Sequence, residues 1–378
     1  MPGFRLDVVK SRAFAHIIPA MTAKLRATLF TLAAALAGCT ALETSRLPAT
    51  RALTLEEGRA LVASKLPPRL AERAGWATDI YATFATLQLE PSEENICAAI
   101  AVTEQESGFK VDPSVPNLGA IATREIERQR ERAGIPSLVL QAALALPSSD
   151  GRSYSSRIAE ARTEKELNDA YEDFIDRVPM GRRFLEDRNP VRTAGPMQVS
   201  IAYARAHAEA KPYPYPVGRS IRDEVFTRRG GMYFGIAHLL DYPADYDSPI
   251  YRFADFNAGH YASRNAAFQR AVSQLTGVPL ELDGDLLQAT EAALRTLGKR
   301  LRLDDDDIQR DLKESKSAAF SRTRLYRRVF ELADAGGTRA PRAVIPRITL
   351  KSAKITRSLT TEWFARRVDT RYRACLGR

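Results

Sequence analysis

The chain of 378 residues is short of cysteine, histidine and tryptophan, with 3, 4 and 2 of each, and the shortage closes off several kinds of chemistry. No Cys-x-x-Cys pair occurs, which excludes a dithiol redox role, and no Cys/His cluster has zinc-ligand spacing. His207, His238 and His260 are dispersed and His16 falls near the start, so no metal is expected. A glycine-rich phosphate loop and a Ser-His-Asp arrangement are missing too, and no cofactor is expected. Long apolar runs are scarce: the stretch at 29–36 is well below the ~20 residues that span a bilayer. The acidic residues are outnumbered, 46 against 56 basic, for a net charge of +10. Such an excess points first to nucleic acid. The start of the chain argues otherwise.

Lys24 and Arg26 precede the apolar run, and Leu36-Ala37-Gly38-Cys39 closes it with small residues before a cysteine. This is the order of an export signal, and it resembles a bacterial lipobox in which Cys39 is lipidated and becomes the first mature residue. Residues 1–38 then read as a signal peptide, with Met21 the expected start of translation. Cleavage leaves 378 − 38 = 340 residues; it removes five basic residues and one acidic, so the net charge falls to 10 − 4 = +6. An exported chain seldom meets nucleic acid, and anionic glycan or lipid headgroups suit a moderate basic excess equally well. Thr40 rather than Asp follows Cys39, which by analogy with other lipoproteins implies the periplasmic face of the outer membrane. With Cys39 committed to lipid, Cys97 and Cys375 form an even pair in an oxidising compartment, and a disulfide is expected.

Residues 39–53 are rich in small residues without periodicity and read as a tether. Beyond them the pattern is mainly α. Thr54-x-x-Glu57 has the form of a capping box, Arg69 to Leu87 carries apolar residues at helical spacing, and Pro91-Ser92 starts a helix whose inward face is Ile96, Ala99, Ile100 and Thr103. Gly108 suits the left-handed turn that stops it. Residues 121–188 read as a charge-rich helical insertion, broken by a loop at 147–151. Alternating prolines hold 211–216 extended. Residues 279–378 form a C-terminal helical extension: one helix over 285–301, an acidic start at Asp304 leading to Leu332, a short strand pair within 341–355, and a last helix over 360–376.

Three strings stand out: Glu106-Ser107-Gly108-Phe109, Gly195-Pro196-Met197-Gln198-Val199 and Phe256-Asn257-Ala258-Gly259. Glu106 falls in the last turn of a predicted helix, where the negative end of the macrodipole disfavours its charged form and apolar neighbours add desolvation. Both effects raise its pKa, as a proton donor to a leaving oxygen requires. Glu104 lies on nearly the opposite side of the helix and reads as solvated or structural. Asp112 and Asp255 are the nearby candidates for a second carboxylate, each with an ordinary reading as a turn-former or helix-start residue. Tyr213, Tyr215, Tyr233, Tyr242, Tyr246 and Tyr251 lie between the second and third strings, where their rings suit either sugar stacking or ordinary packing.

In this order the three strings resemble the signature blocks of lytic transglycosylases and goose-type lysozymes. The resemblance spans roughly residues 69–120 and 190–275 and implies a lysozyme-like helical core over 54–278. It also implies that Glu106 is the catalytic acid and base, and that Ser107, Met197, Gln198, Phe256 and Asn257 bind substrate. The implied reaction cleaves the MurNAc–GlcNAc bond of peptidoglycan strands with one carboxyl group and leaves a 1,6-anhydro end. Three departures stand against it. The first two strings are 195 − 106 = 89 positions apart, Pro196 replaces the commoner leucine, and Phe256 replaces the commoner tyrosine. The chain as a whole also resembles a family of bacterial lipoproteins of unknown function. The rival expectations are a wall-binding lipoprotein without turnover and an envelope-assembly partner working through 121–188 and the C-terminal third.

Overall fold

The computed structural model describes residues 53–350 and 358–378. The expected signal peptide, Cys39 and the expected tether up to Ala52 lie outside the described residues.

Thr54 opens the first helix as its spacing implies. Its hydroxyl accepts from the Glu57 N–H at 3.2 Å, and the Glu57 carboxylate accepts from the Thr54 N–H at 2.9 Å. Helices α1 (Leu55–Lys65), α2 (Arg73–Leu87) and α3 (Glu93–Glu106) follow. Ser92 caps α3 through the Asn95 N–H. Every residue of α3 from Ile96 to Thr103 is buried, so it is wrapped on all sides rather than on one face.

Helices α4 (Leu118–Arg132), α5 (Ser137–Ala145), α6 (Tyr154–Glu160), α7 (Glu164–Arg177) and α8 (Gly181–Leu185) fill the interval before the second string. Strands β1 (Thr193–Ala194) and β2 (Val199–Ser200) pair antiparallel around that string, Thr193 opposite Ser200 and Ala194 opposite Val199. Then come α9 (Ile201–Ala210), α10 (Ile221–Val225), α11 (Arg228–Leu240), α12 (Ile250–Ala258) and α13 (Ala262–Thr276). The last third holds α14 (Ala289–Leu297), α15 (Asp305–Lys313) and α16 (Arg324–Asp334). Strand β3 (Thr349–Leu350) pairs antiparallel with β4 (Leu359–Thr360), which leads straight into α17 (Thr361–Leu376).

Three expectations need correction. Among the described residues, only one strand of the pair expected within 341–355 lies there, because β3 pairs with Leu359–Thr360 just before the last helix. The helix anticipated from Asp304 to Leu332 is broken, because side chains of α13 take the carbonyls that a continuing helix would need. Arg264 donates to Ser315 O and Ser317 O, and Asn265 donates to Ser315 O. Nor is the 121–188 interval charge-rich throughout. Residues 133–149 carry no charged side chain, and they contain α5, none of whose residues is buried.

Burial falls into three clusters. The first joins α1, α2, α3, α11, α12 and α17 with Phe109 and Met197, the second joins α13 to the last third, and the third joins α4, α6 and α7 to the β1–β2 hairpin and α9–α11. All three lie within 53–378, one compact unit with its own core. Cys97 on α3 is bonded to Cys375 on α17, fixing the end of the chain to the central helix. Among the described residues no helix is long and apolar enough to cross a membrane.

Candidate active site

Glu106 is the last residue of α3, and the turn after it is shaped by the first string. The Ser107 hydroxyl donates back to Thr103 O at 3.2 Å, so it is occupied in closing the helix. Gly108 and Phe109 both take positive φ, +60° and +63°. Such a φ is strained for phenylalanine, and burial of its ring compensates. The ring is 8% exposed and meets Trp76 edge to face at 5.2 Å. Phe109 thus pins the chain and leaves Glu106 at the rim, partly open to solvent yet closely surrounded. Burial raises the Glu106 pKa to about 7, and the negative charge of Glu164 adds to the rise. Glu104 points elsewhere, within 3.9 Å of Arg371 and 3.7 Å of Arg378, as the helical period implies.

Glu164 is the carboxylate that sequence reasoning missed. It is the first residue of α7, 6% exposed, and comes from the insertion 164 − 106 = 58 positions away. The chain leaving the first string holds it in place. Val115 N–H donates to Arg162 O at 2.8 Å, Ser114 forms a bridge with Thr163, and the Asp112 carboxylate lies beside Thr163 and Lys165, which favour its charged form. A Thr163/Glu166 capping box starts α7. Nothing local announced what lies in front of it.

The two expected candidates for a second carboxylate have other work. Asp112 anchors the α7 N-terminus as described. Asp255 is fully buried, accepting at Oδ2 from Tyr242, Tyr246 and the Tyr261 N–H and at Oδ1 from the Ser263 N–H. It lies near the end of α12 rather than at a helix start, and it caps α13. Four of the six tyrosines are committed as well: Tyr242 and Tyr246 to Asp255, Tyr213 to Glu224, and Tyr233 to the core, while Tyr215 and Tyr251 are half-buried.

The second string is a tight turn against α11. Gly195 has φ +74°, and the Gln198 N–H donates to Gly195 O at 3.0 Å. A Cβ at Gly235 would lie 2.5 Å from Met197 Sδ, so only glycine lets the turn approach. Met197 is fully buried, which corrects the expectation that it binds substrate: it packs beneath the turn. Gln198 stays half-buried with φ +50°. Its amide donates to Gly195 O, and its Oε1 accepts from the Thr193 hydroxyl. In the third string Phe256 is half-buried between His238, at 5.1 Å, and Phe364, while exposed Asn257 accepts from the Thr361 hydroxyl at 3.0 Å. Phe109, Met197 and Phe256 all pack into the first cluster, which unites the three strings beneath the surface.

The histidines are dispersed only in sequence. His207, His238 and His260 gather around Tyr203 with ring separations of 5.7, 4.6 and 5.7 Å. Burial lowers the His238 pKa to about 4, so its ring is neutral near pH 7. Among the described residues no group of His, Cys, Asp and Glu is arranged to hold a metal. Open concavities of about 480 and 510 Å³ lie over α6–α7 and along 279–290. Neither is lined by Glu106.

A family model described as "Protein of unknown function (DUF1615)" matches residues 69–378. The chain belongs to this DUF1615 family. The match takes in all three strings and both bonded cysteines. The chain is also 48% identical over 324 residues to "Uncharacterized protein YaiW" of Escherichia coli (strain K12), covering 84% of this chain and 88% of that one. No solved structure matches the DUF1615 chain.

Proposed function

We propose that this protein is a lipoprotein on the periplasmic face of the outer membrane that acts on peptidoglycan, with a lysozyme-like core and a lytic transglycosylase-type reaction. The observation that carries the reading is Glu106, a carboxyl held near neutrality at the end of a central helix by burial and by Glu164. A protonated carboxylic acid can donate to the glycosidic oxygen, and the resulting carboxylate can then remove the proton of the muramyl 6-hydroxyl. One side chain thus serves both halves of the reaction. Burial, with the charge of Glu164 adding to it, supports this by keeping the proton on Glu106 up to neutral pH. Glu164 also opens a hydrolytic variant in which the second carboxylate activates water.

A non-catalytic reading also has an observation behind it. The side-chain amides of Gln198 and Asn257 already hydrogen-bond within the protein, as in a wall-binding protein without turnover. Purified sacculi incubated with the protein and with Glu106→Gln separate the three outcomes by mass spectrometry. Anhydro-muropeptides from the wild type alone support transglycosylation, reducing ends alone support hydrolysis, and silence from both overturns catalysis.

A further inference from the structure

Helix α5 and its flanks expose several large apolar side chains. Leu138 is 79% exposed, Val139 57% and Leu146 52%, with Ile135 at 40% just before the helix. Such side chains on a nine-residue helix with no buried residue are not explained by the protein's own packing. Arginines hold both ends of the segment. Arg130 donates to Ile135 O at 2.7 Å, and Arg177 donates to Pro147 O at 3.1 Å. Beyond Arg177 come Met180 and Phe184, 56% and 61% exposed, with the Arg183 guanidinium 5.8 Å from the Phe184 ring. Arg132 and Arg183 are exposed and have no carboxylate partner among the described residues.

We propose that α5 and the 180–184 segment form a membrane-docking face that lies in the headgroup region of an anionic bilayer. Exposed leucine, valine and phenylalanine rimmed by arginine is the composition of an interfacial surface: the apolar groups enter the acyl boundary and the cations meet lipid phosphates. Charge argues for lipid over a second copy of the chain. A two-fold contact through this face would bring the same unpaired arginines toward one another. The inference uses only the lipid-anchor part of the proposed function and does not involve Glu106. From Cys39 to Leu53 is 53 − 39 = 14 residue steps, at most about 50 Å of chain. A lipidated Cys39 would therefore hold Leu53 within about 50 Å of the bilayer.

The test places a polarity-sensitive dye at Leu138→Cys in the full lipidated chain, reconstituted in vesicles of phosphatidylethanolamine and phosphatidylglycerol, with Gln309→Cys as the control position. The expected result is a blue-shifted emission, quenched by bilayer-borne quencher, at 138 but not at 309. A second arm floats residues 53–378, which carry their own core, with the same vesicles. Leu138→Asp with Val139→Asp should reduce the bound fraction ~10-fold or more, while leaving the melting temperature unchanged because both positions are exposed. Glu106→Gln should float like the wild type, so failure here and failure of the catalytic reading remain distinct. A water-like emission at 138, equal flotation of the Asp variant, or a wild-type dimer that this variant dissolves without any vesicle binding would each overturn the docking face.

Discussion

A carboxyl whose pKa lies near 7 changes charge in the range where proteins are handled, so Glu106 can be interrogated without substrate. Its folded-state pKa of about 7 stands above the ordinary 4.5, and the native state therefore holds a proton that the unfolded chain gives up. Stability from this group is complete below about pH 4.5, declines as pH rises, and is lost above pH 7. Glu106→Gln keeps the shape and removes the charge. It should melt with the wild type at pH 4 and several degrees above it at pH 8, a difference of at most about 3 kcal/mol. Thermal melts at the two pH values check this. Glu164→Gln removes the charge that raises the Glu106 pKa, so the Glu106 carboxyl should titrate at lower pH. If the protein cleaves glycan, the alkaline limb of its pH profile should shift toward acid in Glu164→Gln, with little change on the acid side. An unmoved limb would show that Glu164 does not act on Glu106.

At the level of elements, the second string depends on α11 lacking side chains where the turn lands. Gly235→Ala would put a Cβ 2.5 Å from Met197 Sδ and 2.6 Å from Met197 Cβ. The cost should be about 1–3 kcal/mol, seen as a lowered denaturation midpoint with an unchanged slope. Caps and turns of this kind were legible in sequence because each is local. The Thr54 box, the helix start at Ser92 and the stop at Gly108 rest on residues within a few positions of each other. What could not be read was set by distance in sequence. Glu164 meets Glu106 through a bridge between two separated segments, Asp255 is recruited to cap α13, and the three histidines meet around Tyr203 only once α9, α11 and α12 pack. Helix α5 was missed for another reason. A mean over 121–188 hides 17 uncharged residues, 133–149, inside a charged interval.

Across the whole molecule, the last helix is part of the central core rather than an appendage. Helix α17 lays Phe364, Ala365, Val368 and Tyr372 into the cluster that contains α3, and Thr361 holds Asn257 of the third string. Parity and compartment pointed to the Cys97–Cys375 pair, but the packing of α17 explains why a link across 278 positions is useful. An unfolded chain loses much conformational freedom when so long a loop is closed, which stabilises the folded state by about 2–5 kcal/mol. Replacing both cysteines with serine should lower the melting temperature by several degrees and give it no further dependence on reductant, whereas the wild type should melt earlier once reduced. The loss should also reach the third string, because α17 is then held only by packing and non-covalent contacts such as Thr361 to Asn257. Hydrogen exchange should rise first in α17 and α12 and leave the α13–α16 cluster protected. Equal exchange across both clusters would mean that the second core depends on the bond as much as the first.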